Sequence, residues 1–159
     1  MIQCQRKICE IVAMCAWLAQ LLILATSLSI LISSEAFALL RIEYDIGGRI
    51  STYIDKYTTV RDVGDEVIVD GLCLSACTIL LGVVPQNRIC ITDRAIFGFH
   101  AAWIPNEKGY AVYSEIGTQV LWQLYPGQVR KWIAQHGGLQ KRMIYLHGNE
   151  LTAMYPECR

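Results

Sequence analysis

Apolar residues recur along this chain in three rhythms, and each predicts a different kind of element. From Ile11 to Ile32 they are nearly unbroken, interrupted by Gln20 and a few hydroxyls, so that run is apolar on all its faces. Shorter stretches, Leu39 to Ile46, Glu66 to Asp70, Arg88 to Thr92 and Ala95 to His100, have the length and residue types of strands. Between the first two the spacing turns helical: Ile50, Ile54, Tyr57 and Val60 share one face, and Gly64 closes a helix over Ile50 to Val63. Residues 75–83 suit a second helix, and Pro85-Gln86-Asn87 and Asp93-Arg94 are turns. Strands alternating with helices predict an α/β domain with a small, mainly parallel sheet.

Past His100 the rhythm changes. Ala101 to Tyr113 holds Pro105, Asn106 and Gly109 and is expected to be a loop or hairpin. Ser114 to Leu124 suits a helix, and Pro126 opens another that runs to about Gln135, where Gly137-Gly138 stops it. Leu139 to Tyr155 is expected to form one or two short helices, with Asn149 capping the second.

The first apolar run divides the chain into residues 1–38 and a folded domain over 39–159. Arg6 and Lys7 precede the run, and Ser33-Ser34-Glu35 leads to Ala36-Phe37-Ala38, a small-x-small cleavage pattern. The run is also long enough to span a bilayer core of about 30 Å. Residues 1–38 are therefore a cleaved signal peptide or an uncleaved membrane anchor through residues 11–32, and both put the domain outside the cytoplasm. The formal charge of the chain is zero, which leaves nothing to attract a phosphate backbone and excludes nucleic acid as a partner. Beyond the leader stand Cys73, Cys77, Cys90 and Cys158, an even number suited to an oxidising compartment, so at least one disulfide is expected. The four allow three pairings. A zinc site is the rival reading of Cys73-x-x-x-Cys77, but no second pair completes it. No metal or organic cofactor is expected.

Candidate chemistry gathers at strand ends. Asp70-Gly71-Leu72-Cys73-Leu74-Ser75-Ala76-Cys77-Thr78 reads as strand, small-residue turn and helix, which lifts Ser75 to a site mouth beside free helix amides. His100 closes a neighbouring predicted strand, at the edge where open α/β sheets bind ligands. A serine hydroxyl needs a base to take its proton, and imidazole is suited to that task. The bland alternative makes Ser75 a helix cap and His100 a packed or surface residue. Gly47-Gly48 also follows a strand, and its amides, with that of Ala76, can form an oxyanion hole. Trp103 can line a cleft, whereas His136 and His147 read as surface residues. Trp122 and Trp132 lie on apolar helix faces suited to packing or docking.

Gly47-Gly48, then Ser75-Ala76, then His100 resembles the proteolytic subunit of the Clp protease and its relatives in the crotonase-like superfamily. The phrasing Asp70-Gly71-x-Cys73-x-Ser75-Ala76-Cys77-Thr78 with Gly98-Phe99-His100 also resembles small exported bacterial proteins that carry this core. In that family a Gly-Gly turn supplies oxyanion donors, a serine sits on a helix N-terminus, and a histidine follows it. Here Ser75 and His100 are twenty-five positions apart, and the resemblance covers residues 44–103. It implies a ClpP/crotonase-like fold, here reduced, and the leader places that domain in the periplasm or anchored in the inner membrane facing it. It also implies hydrolysis of a peptide or acyl substrate and assembly as a homo-oligomer. Ser75 would be the nucleophile, His100 the general base, and the backbone of Ala76 and of Gly47 or Gly48 the oxyanion donors. The family's third catalytic member is an aspartate well beyond the histidine. No aspartate follows Asp93, and Glu150 stands at the matching distance, either to orient His100 or as an exposed glutamate at a helix start. The leader takes the place of the family's strand and helix before the glycine pair, so the expected sheet is smaller. The alternative function is a catalytically inactive envelope binding or scaffold protein that retains the core.

Overall fold

A computed structural model of the chain describes residues 38–158. The leader, and with it the choice between cleaved signal and membrane anchor, lies outside the described residues. Among those described, no helix is long and apolar enough to cross a membrane. The chain begins with β1 (Leu39–Asp45), α1 (Ile50–Val63) and β2 (Glu66–Leu74). A 3-10 turn over Ser75–Ile79 passes into the short α2 (Leu80–Val83), and a second covers Gln86–Arg88 before β3 (Ile89–Ile91). Next come β4 (Ile96–Phe99), the hairpin of β5 (Trp103–Pro105) and β6 (Ala111–Tyr113), and the helices α3 (Glu115–Leu124) and α4 (Gly127–Gln135). The described chain ends with β7 (Ile144–His147) and α5 (Gly148–Thr152).

The sheet is built around β2, its longest strand. β1 runs parallel along one edge of it. The other edge is shared: β3 lies opposite Val67–Val69, and β4 takes over opposite Leu72–Leu74. β7 continues the sheet beyond β4, antiparallel to it. The architecture is thus mixed α/β with a mainly parallel sheet and several helices, as the alternation of strand and helix patterns predicts. Val67, Val69 and Cys73 of β2 are buried, and Tyr57 and Val60 of α1 belong to the same core cluster. Burying such side chains contributes about 1.5–3 kcal/mol each and is what selects the register. Where the β1–β2 register shifts between Ile42 and Tyr44, Gly71 backs onto the Glu43 carbonyl so closely that a Cβ would overlap it.

Asp70 is buried in β2 and ties three parts of the chain together. Its carboxylate accepts hydrogen bonds from Arg41 of β1, from Arg94 (Nε to Oδ1, 2.9 Å) and from the Thr92 hydroxyl (2.7 Å). The Arg94 and Thr92 hydrogen bonds hold it well below the usual carboxylate range. Two disulfides are present. Cys73–Cys77 spans the turn after β2, and Cys90–Cys158 fastens the chain end to β3. The end also lies along β3 through Ile91 N–H to Pro156 O and Cys158 N–H to Ile91 O, at 3.0 and 2.9 Å.

Two expectations are corrected at the C-terminal end. Residues Leu139 to Tyr155 hold a strand, β7, before their helix, because β4 offers an open edge that Ile144–His147 completes. The residue that caps α5 is His147, in extended conformation, and Asn149 lies inside the helix.

Candidate active site

The site forms where β1, β2 and β4 end together. Parallel pairing sets Asp45 beside Cys73, and Leu74 beside Gly98. Two residues further on, the three strands deliver Gly47, Ser75 and His100 to one corner. Ser75 has φ +57°, and among the described residues it is the only non-glycine with positive φ. Side-chain-bearing residues avoid that region, so the surroundings must hold it. Three contacts do so. The Cys73–Cys77 disulfide brackets the serine, and the Thr78 hydroxyl donates to the Ser75 carbonyl at 2.7 Å. Gly47, at φ +84°, packs so tightly that a Cβ there would stand 2.6–2.7 Å from Leu74 O, Ala76 N and Ser75 Cβ.

The Ser75 hydroxyl lies 2.7 Å from Nε2 of His100. The other ring nitrogen, Nδ1, lies 2.7 Å from the carbonyl oxygen of Ala101. A carbonyl can only accept, so Nδ1 carries the proton. In the neutral ring Nε2 is then the bare nitrogen, able to accept from the serine O–H. The Ala101 carbonyl is held in turn, since the Ala101 N–H donates to Gln140 O at 2.8 Å and the next amide, Ala102, to Thr118 Oγ1 at 3.0 Å.

Glu150 does not serve this histidine. Its carboxylate faces His136, with Nε2 to Oε1 at 3.7 Å. The cause is strand direction: β7 is antiparallel to β4 and sets His147 opposite Ile96, so α5 starts at the end of the sheet away from His100. The amides differ in availability. Gly47 N–H donates to Asp45 Oδ1 at 2.9 Å, and Asp45 also accepts from the Tyr53 hydroxyl and pairs with Lys56 at 3.3 Å. Burial, then the bond to Asp45, push the Tyr53 phenol far up, so it stays a donor. The Ala76 N–H, in the first turn of its helix, has no intrahelical acceptor. Gly48 is exposed and lines the same cavity as Ala76.

That cavity has a volume of about 900 Å³, within the range that holds a small ligand. Ser75 and His100 open into it beside Ile46, Ile50, Ala102, Trp103, Ile104, Val120 and Leu121, a mostly apolar wall. Trp103 thus lines it as the sequence suggested, while His136 and His147 are exposed and elsewhere. Trp132 is buried against Phe99, and Trp122 is partly exposed on α3. Sequence reasoning missed the Ala101 carbonyl, which has no residue-type signature, and Arg49, a cation in the cavity wall directly after the glycine pair.

The sequence matches no family model and no curated protein. Among solved structures, a ClpP1 point mutant from Listeria monocytogenes aligns over 82% of this chain and 80% of its own, at 16% identity with a TM-score of 0.43. At that identity and score the likeness assigns neither family nor activity.

Proposed function

We propose that the domain is an exported serine hydrolase of reduced ClpP/crotonase-like type, acting on a peptide or other acyl substrate. The observation that carries this reading is the 2.7 Å contact between Ser75 Oγ and Nε2 of His100. A base within hydrogen-bond reach is what a serine nucleophile requires. In the proposed reaction Ser75 Oγ adds to the substrate carbonyl while His100 takes its proton. The carbonyl oxygen, now anionic, is held by the amides of Gly48 and Ala76, since that of Gly47 is bound to Asp45. His100 then protonates the leaving group, and an acyl-Ser75 ester remains. Water, deprotonated by His100, releases the acid. The Ala101 carbonyl keeps Nδ1 protonated throughout and orients the ring. Both disulfides support the placement outside the cytoplasm, where such bonds persist. Residues 1–38 would be the signal or anchor that delivers residues 39–159 there.

The rival reading, an inactive envelope binding or scaffold protein, is favoured by one observation: His100 is backed by a neutral carbonyl and not by a carboxylate. A carbonyl stabilises the imidazolium less than an anion does. A fluorophosphonate probe on the purified domain separates the two. Covalent labelling that vanishes in both Ser75→Ala and His100→Ala is expected. A folded wild type that takes up no probe would leave the binding protein standing.

A further inference from the structure

We infer that the cavity selects an apolar acyl or peptidyl substrate that bears a carboxylate, and that Arg49 is the residue that recognises it. This rests on the reading of the cavity as a substrate site. Among the residues lining it, Arg49 alone carries a permanent charge, and no carboxylate lines it. Arg49 is exposed, and its guanidinium makes no ion pair with any described residue. In this it differs from Arg41, Arg61 and Arg94, each of which has an acidic partner. It stands immediately after Gly48 in the chain and lines the same cavity as Gly48 and Ala76. The rest of the wall, including Ile50, Trp103 and Val120, offers only apolar contact. One planar cation on an apolar wall matches a singly charged carboxylate, which guanidinium can meet with two parallel hydrogen bonds.

The test is a binding comparison on the Ser75→Ala domain, where no turnover occurs. N-acetyl-leucine, which carries a carboxylate, is titrated calorimetrically against N-acetyl-leucine amide, its neutral counterpart. The acid is expected to bind up to about fivefold more tightly, the factor that an exposed ion pair supplies. In Arg49→Ala that preference falls to one while the amide binds as before, and Arg49→Lys keeps part of it. Equal binding of acid and amide, or a preference that survives Arg49→Ala, overturns the assignment. Loss of the hydrolase reading would be seen separately, as absent fluorophosphonate labelling, and would leave the binding comparison intact.

Discussion

Gly47 carries no side chain, and the corner around Ser75 is built on that absence. Its positive φ and the three atoms within 2.7 Å of where a Cβ would stand leave no room for alanine. Gly47→Ala is expected to cost about 2–4 kcal/mol through overpacking and backbone strain. The change would appear as a lower urea midpoint, with less probe uptake per folded molecule as the corner shifts. The glycine pair, Ser75 and His100 were legible because each follows directly on a strand, and parallel strands end at one edge. The partner of His100 was not legible. A backbone oxygen has no residue-type signature, and the distance from His100 to Glu150 along the chain says nothing about the direction of the intervening strand.

Among the elements, the strands beside β2 are joined by charge as well as by ladder hydrogen bonds. Asp70 binds Arg41 and Arg94, so protonating it breaks both ties at once. Its pKa is lowered in the folded state, so its contribution is complete above the ordinary carboxylate value and lost as pH falls. Stability of the wild type should therefore decline from about pH 5 downward. Asp70→Asn should be less stable at neutral pH and show a flatter acid limb, as read from thermal melts across that range. The strands up to β4 were legible from runs such as Val67-Ile68-Val69. β7 was not, because it spans only four residues, too few for the alternation of inward Ile144 and Leu146 with exposed Tyr145 and His147 to mark a strand in the sequence. Only the edge left by β4 makes it a strand, and that is a tertiary fact.

Across the whole described domain, the two disulfides do different work. Cys73–Cys77 closes a ring of four intervening bonds along the chain and Cys90–Cys158 one of 68. Chain-entropy reasoning assigns about 2 kcal/mol to the first and about 4 kcal/mol to the second. Cys90→Ser with Cys158→Ser should thus lower the unfolding free energy by more than Cys73→Ser with Cys77→Ser does. The short ring brackets Ser75, so its loss should reduce probe labelling even where the domain stays folded. The ordering of both effects is read from denaturant curves and labelling rates of the two double variants. The exposed β5–β6 hairpin, with Trp103 and Ile104 facing the cavity, sits on this braced frame.

The oxygen behind His100 is the main-chain carbonyl of the next residue, in the peptide bond between Ala101 and Ala102. Whatever amino acid occupies position 101 brings the same atom, so saturation mutagenesis read as a map of required side chains would pass over it. A lineage descended from such a chain could exchange its acidic residues freely without ever losing this imidazole's anchor.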